Sequence, residues 1–362
     1  MKQRCMALLG AAVTTLCLLG GLPEVEAATI KINDTKSFSV GAGFRSSFSS
    51  VEEKAPNGTD RSRDFTVNSM RLYTGGQIHK NIKLTFNTEQ DSGNGNAARV
   101  LDAIAQLEFS DEFNIWAGRF LPPSDRSNLD GPYYLTTYDF PFVQNYPALF
   151  AGRDNGIAVW GQVQGGKFKY QAGAFEGRTG DPDQSDNLLY AVRLSANIWD
   201  PEPGYYTTST YYGAKDLLSL GLVMMQQSDG AGTLADPGDF TGWSVDALME
   251  KKLPSAGVVN VEGAYYNYDL NDVADASLVQ GTGYLILAGY LLPNKMGIGQ
   301  LQPHIRYQSF DADGAADQHT RTEVGVNYVI DGHNARVSVI YGMDDTGADT
   351  ANMLTVGLQL QI

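Results

Sequence analysis

The sequence is short of thiols, imidazoles and positive charge. Its 362 residues hold two cysteines and four histidines. Both cysteines, Cys5 and Cys17, fall within the first 27 residues, so the rest of the chain can form neither a disulfide nor a thiolate metal site. His79, His304, His319 and His333 are scattered, with no i,i+2 or i,i+4 partner that would make a metal pair. Lys and Arg number 26 against 41 Asp and Glu, a formal net charge of −15, which argues against a nucleic-acid partner that needs a basic face. After residue 22 no apolar run approaches the roughly 20 residues of a membrane helix, which excludes a polytopic helical membrane protein. It does not exclude a membrane barrel, whose strands are apolar on one face only. No segment of helical period is present to cover the face of a sheet, and no Ser/His/Asp order or paired-carboxylate motif points to an enzyme.

What the chain does have begins with an address. Lys2 and Arg4 precede the apolar run 6–22, and Val25-Glu26-Ala27 supplies the residues a signal peptidase reads. Cleavage is expected after Ala27. That leaves 335 residues, 28–362, as one domain carrying 24 basic and 39 acidic side chains.

The recurring signal in that domain is period two. Phe38, Val40, Ala42, Phe44 and Phe48 alternate with Ser39, Gly41, Gly43, Arg45 and Ser47. At the other end Leu354, Val356, Leu358, Leu360 and Ile362 alternate with Thr355, Gly357, Gln359 and Gln361. Sixteen strands can be read, centred near Ala42, Leu72, Leu84, Ala105, Ala117, Val159, Gln171, Arg193, Leu220, Ala247, Val261, Ile286, Ile305, Gly325, Val339 and Leu358. Short Gly- or Pro-bearing turns are expected at 75–77, 165–166, 254–257 and 331–334, and longer acidic loops at 50–64, 181–187, 226–239, 269–277, 311–318 and 344–351. Short turns on one rim and long loops on the other describe an outer-membrane barrel. Residues 199–215 break this alternation: a short turn is due there. Aromatics near strand ends (Phe109, Phe113, Trp160, Phe175, Trp243, Tyr265, Tyr290, Tyr341) read as interfacial girdles. The expected fold is therefore all-β: a transmembrane antiparallel β-barrel of sixteen strands, greasy outside and wet inside.

The longest loop, 121–154 after the fifth strand, carries five prolines and seven aromatics, Tyr133, Tyr134, Tyr138, Phe140, Phe142, Tyr146 and Phe150 among its charges. So many large apolar groups should pack on something: folding inward would narrow a sixteen-stranded bore, and the alternative is a lid over the mouth or a contact to a neighbouring subunit. Its charges Asp125, Arg126, Asp130 and Arg153, with Arg71, Lys83, Arg119 and Arg193 from the walls, are the candidate lumen and constriction residues. The same alternation turns Arg45, Arg306 and Arg336 inward, and with them Asp102, Glu108, Asp246, Glu250, Glu262 and Glu323. The stretch 284–292 is apolar on both faces, so its inner side, including Leu285, is expected to meet the inserted loop. Gly161-Gln-Val-Gln-Gly-Gly166-Lys167 approaches a phosphate-binding loop but reads strand–turn–strand, and so is taken as a hairpin.

Several stretches resemble a known family. They are Phe65-Thr-Val-Asn-Ser-Met-Arg71-Leu-Tyr, Trp116-Ala-Gly-Arg119-Phe-Leu-Pro122-Pro, Gly152-Arg153-Asp154-Asn-Gly156, Tyr170-Gln-Ala-Gly-Ala-Phe175-Glu-Gly177 and Tyr190-Ala-Val-Arg193-Leu. They are similar to segments of the phosphate-selective porin O and P family, sixteen-stranded trimeric outer-membrane channels. The resemblance implies a water-filled channel in the outer membrane of a Gram-negative bacterium, passing small hydrophilic solutes or ions, anions among the candidates. Its implied partners are outer-membrane lipid, lipopolysaccharide and two further copies in a homotrimer, with no cofactor. Phosphate-selective members line the pore with an arginine ladder, whereas no strand here offers arginines at i, i+2 and i+4, so phosphate specificity is not implied. The chain also ends in Ile362 where outer-membrane barrels usually end in an aromatic residue. A second reading is a barrel that sheathes a partner such as an electron-transfer cytochrome, which would have to bring its own haem.

Overall fold

The structure, a computed structural model, describes residues 28–95, 97–147 and 151–362. The expected targeting segment 1–27 and Phe150 lie outside the described residues. Among the described residues seventeen strands follow one another: β1 (Ala28–Asn33), β2 (Lys36–Val51), β3 (Asp64–His79), β4 (Ile82–Gln90), β5 (Arg99–Glu108), β6 (Asn114–Phe120), β7 (Asp154–Val163), β8 (Phe168–Phe175) and β9 (Leu189–Asn197) in the first half. The second half holds β10 (Leu217–Thr233), β11 (Asp236–Lys252), β12 (Val258–Asp269), β13 (Gly281–Leu291), β14 (Gln300–Ala312), β15 (His319–Asp331), β16 (Ala335–Asp345) and β17 (Thr350–Gln361). From β2 onward each strand pairs antiparallel with the next, and β17 returns to β2 from Met353 opposite Val51 to Gln361 opposite Gly43. The sheet is a closed cylinder of sixteen strands, and each expected centre from Ala42 to Leu358 falls within its own strand. Closure lets every strand satisfy its neighbours' backbone groups in a solvent that offers no hydrogen bonds.

β1 is an addition to the expected count. β17 runs out at Gly43, and Ile362 exchanges two 2.9 Å backbone bonds with Ala42. The edge of β2 beyond that point is taken by β1, from Ala28 opposite Val40 to Lys31 opposite Ser37. Ile362 thus extends the β17–β2 seam by main-chain bonds.

Outward residues form the apolar belt. Leu72, Leu84, Ile157, Leu194, Leu222, Ile286, Ile305, Val324 and Val339 are all exposed, an expanse no water-soluble monomer presents. Phe109 and Phe113 stack at 5.9 Å, and Trp243 meets Tyr265 at 5.5 Å, on the same outer surface as the exposed Tyr341. Two of the expected girdle residues do not join them: Trp160 and Phe175 are buried inside, because they alternate in phase with the lumen.

Two connections also differ from expectation. Gly75, Gly76 and Gln77 lie inside β3, whose turn comes at Lys80 and Asn81, and residues 226–239 form a long hairpin of β10 and β11 instead of a loop. The interior is not uniformly wet. Trp116, Phe120, Trp160 and Phe175 from the walls of β6, β7 and β8 gather around Tyr205, with Trp116 stacked on Tyr205 at 4.7 Å. Tyr205 belongs to the long 198–216 connection, which turns back into the barrel from the short-turn rim. That location accounts for its length.

Candidate functional site

Two inserts meet inside the cylinder. One descends from the long-loop rim after β6, the fifth barrel strand. Here Asp125 caps a single helical turn, α1 (Arg126–Asp130), by accepting from the Ser127 backbone N–H at 3.1 Å. Gly131, at φ 66°, turns the chain out of the helix. All five residues of α1 are buried. The other insert is 198–216, rising from the opposite rim.

Their contact is ionic and dry. Arg126 donates from both terminal nitrogens to Glu202, at 2.7 and 2.8 Å, and also reaches Ser219 Oγ at 2.7 Å and the Thr208 carbonyl at 3.0 Å. Neither Arg126 nor Glu202 is exposed. Lys169 stands 3.6 Å from the same carboxylate, and the Tyr211 hydroxyl donates to it at 2.6 Å. Ser209 donates to Asp130 at 2.6 Å, and Thr207 to the Arg126 carbonyl at 3.2 Å. On the wall, Arg193 forks onto Asp246, and Ser127 donates to Glu262 at 2.9 Å. Burial alone would raise the Glu202 carboxyl, but Arg126 and Lys169 bring it down to about 2. Burial drives Asp130 well above the usual carboxylate range despite the neighbouring Arg126. Asp125 is likewise raised by burial and by the Asp246 charge, although Tyr146, Tyr266 and Gln144 all donate to it.

The tip of the upper insert is held by arginines acting on main chain. Arg336 donates to the Leu135 carbonyl at 2.6 Å, Arg306 to Thr137 Oγ1 and the Asp139 carbonyl at 2.9 Å each, and Arg45 to the Tyr138 carbonyl. Arg45 also lies 4.0 Å over the Tyr138 ring, while Tyr133 sits between Arg45 and Arg71. Two wall glycines make the seats: a Cβ at Gly43 would come within 2.7 Å of Tyr133, and one at Gly357 would overlap the Tyr138 ring. His333, in the turn between β15 and β16, joins both inserts. Its Nδ1 faces the Tyr133 carbonyl at 3.1 Å and its Nε2 the Thr210 carbonyl at 2.8 Å. Leu285 and Leu287 face this packing, as the doubly apolar stretch required, and Leu285 shares one cluster with Leu129 and Val143.

The residues singled out from sequence divide into three groups. Asp125, Arg126, Asp130 and Arg193 converge, but in the dry contact between the inserts instead of on a water-filled surface. Arg71, Arg153 and Lys83 line the β3–β5 side, paired respectively with Glu89, with Asp102 at 3.1 Å and with Glu108 at 2.6 Å. Arg119 points away. It alternates against the buried Trp116 and Phe120, bonds Asn155 at 3.0 Å, and opens on an outer groove with Val100 and Ala103. Its expected place in the lumen is corrected, because the phase of β6 is set by those aromatics. Lys169, Glu202 and Tyr211 do not stand out in the sequence, and His333 reads there only as one of four scattered histidines. The available signal was composition: 205–212 reads Tyr-Tyr-Thr-Thr-Ser-Thr-Tyr-Tyr, as loaded with aromatics as the 121–154 loop. Inward side chains that keep contact with solvent gather on β3–β5, where Tyr73, Gln77, Lys83, Thr85, Asn87 and Glu108 are half-buried.

A closed sixteen-stranded cylinder with an apolar belt and a loop folded into its interior defines the class of outer-membrane barrels. Residues 38–201 match the family model for phosphate-selective porin O and P, and every stretch that carried the resemblance lies within that span. No curated protein sequence matches the chain. Among solved structures it is similar to the anion-selective porin from Comamonas acidovorans, at 13% identity and TM-score 0.62 over 90% of this chain and 100% of that one. It is also similar to outer-membrane expressed OmpT of Vibrio cholerae, at 16% identity and TM-score 0.59 over 92% and 100%. The outer membrane channel DcaP of Acinetobacter baumannii follows at 13% identity and TM-score 0.57 over 91% and 99%. The barrel, its outer-membrane setting and the porin resemblance rest on these matches together with the belt.

Proposed function

We propose that this chain is a passive porin of the outer membrane, passing small hydrophilic solutes with a modest preference for anions. The observation that carries the reading is the charge along the half-buried β3–β5 side of the lumen. Lys83 and Glu108 are half-buried there, the pairs Arg71–Glu89 and Arg153–Asp102 lie buried behind them, and Arg45 is buried on the adjoining β2. Among the described residues Arg45, buried under Tyr138, has no carboxylate within ion-pair distance, so its positive charge is uncompensated beside that lane and its field favours an anion there. The test is planar-bilayer recording of the purified protein in a salt gradient. A small steady conductance with an anion-biased reversal potential, reduced by Arg45→Ala, is expected. Absence of any salt-dependent conductance would overturn the reading.

A sheath around an electron carrier is disfavoured by the occupants already inside, since 121–147 and 198–216 take up the bore that such a partner needs. The reading extends to a homotrimer set in lipopolysaccharide and lipid, as OmpT of Vibrio cholerae has been solved in a trimer form. Light scattering of the detergent-solubilised protein tests that part, and a monomer would refute it.

A further inference from the structure

We infer that residues 198–216 form a second constriction element, built from the periplasmic side, which latches the extracellular loop in place and sets the size of solute that passes. This deepens the porin reading and rests on it. Strands with bacterial outer-membrane connectivity carry short turns on the periplasmic rim. Six of the seven connections on that rim have eight residues or fewer, such as the two-residue link between β3 and β4 and the three-residue link between β15 and β16. The 198–216 connection does not, and its surplus is spent inside the barrel.

Its buried residues are chosen for the loop they meet. Glu202 takes both terminal nitrogens of Arg126, Ser209 takes Asp130, the Ser209 N–H bonds the Tyr134 carbonyl at 3.1 Å, and the Tyr205 hydroxyl bonds the Leu121 carbonyl at 2.9 Å. These contacts run from the start of the upper insert past α1 to Tyr134. The insert is in turn moored to the wall at Glu250, which accepts from Thr210 Oγ1 and from the Tyr211 and Gly213 N–H groups at 2.8 Å each. The Gly165–Gly166 turn leaves space for it, since a Cβ at Gly166 would come within 2.7 Å of Glu202 main chain. With both inserts engaged, the inward side chains of β9–β16 are buried at mid-height, while those of β3–β5 stay half-exposed. Uncoupling them exposes a ring of charge on the walls from β8 to β15: Lys169, Arg193, Asp246, Glu262 and Glu323. The upper loop alone cannot close that space, because its own Arg126 and Asp130 are satisfied from below.

The test uses the full-length barrel reconstituted in bilayers and in liposomes. Beyond residue 27 the chain has no cysteine, so Asp130→Cys with Ser209→Cys gives one clean pair. Under oxidising conditions this variant should show only the small conductance and exclude sugars larger than a monosaccharide in swelling assays. Glu202→Gln, which keeps the shape and removes the charge, should show severalfold larger openings and admit larger sugars. If oxidised, reduced and Glu202→Gln proteins share one conductance and one size limit, the inference is overturned while the porin reading stands. If none of them conducts, the porin reading itself fails.

Discussion

Arg126 and Glu202 face each other through two hydrogen bonds of 2.7 and 2.8 Å, wholly removed from solvent, although one enters from the extracellular rim and the other from the periplasmic rim. A pair so desolvated is costly to break from one side, because the remaining charge stays buried. Arg126→Ala and Glu202→Ala should each destabilise the folded barrel by about 3–5 kcal/mol. Arg126→Met combined with Glu202→Leu should cost less than the sum, since no orphan charge is left. Urea-unfolding midpoints in detergent for the four proteins read the coupling, and additive losses would contradict it.

His333 gives the inserts a pH dependence. Burial, with the Arg336 charge adding to it, lowers its pKa from 6.5 to about 4. The folded state therefore binds fewer protons than the unfolded one between those values, and stability rises with pH across that window. The contribution is whole above pH 6.5 and is lost as pH falls toward 4, a span worth about 3 kcal/mol. A neutral imidazole can also donate to only one of the two carbonyls it faces. Unfolding curves of wild type and His333→Gln should converge in shape above pH 7 and separate in slope between pH 6.5 and 4. Parallel slopes there would remove His333 from the account.

Gly357 exists to seat Tyr138. Its Cβ position is occupied by that ring, whose hydroxyl donates to the Ser46 carbonyl at 2.9 Å. Gly357→Val should leave the β16–β17–β2 ladder intact and push Tyr138 out, so limited proteolysis should begin to cut near 133–139 while the heat-modifiable gel shift of the barrel persists. An uncut loop would show that the ring has another seat.

Leu285 and Ile286 are neighbours with opposite surroundings. Leu285 is 4% exposed against the upper insert, and Ile286 is 54% exposed on the outer belt. Leu285→Ala should cost about 2–5 kcal/mol through the cavity it leaves. Ile286→Arg should cost about 2–4 kcal/mol if assayed in lipid, through lipid exposure of a charge near mid-depth. Unfolding in lipid vesicles separates the two, because a detergent micelle relieves the second cost and not the first.

Arg119 supplies the control for ion selectivity. Since it faces outward beside Asn155, Arg119→Ala should leave the reversal potential unchanged while Arg45→Ala lowers anion preference. A shift for Arg119→Ala equal to that of Arg45→Ala would place both on the conducting path.

The period-two alternation carried most of the barrel, because a strand that is lipid-facing on one side must repeat every second residue. It also assigned Arg45, Arg71, Arg193, Arg306 and Arg336 to the inside. It misplaced Arg119, Trp160 and Phe175 for one reason: aromatic and charged residues are ambiguous as to face, and composition cannot tell a girdle Trp from one stacked on Tyr205. β1 does not stand out in the sequence because six residues ending at a turn carry too little periodicity.

The amino-acid sequence by itself determined a closed sheet of sixteen crossings, its apolar exterior, and a long loop too rich in aromatics to hang free. Only the tertiary structure decided that a second segment, 198–216, meets this loop from the other side and turns its charges into buried pairs. The physical reason is range. Alternation is a local property written residue by residue, whereas Arg126 finds Glu202 76 positions away through a space that exists only once the cylinder has closed.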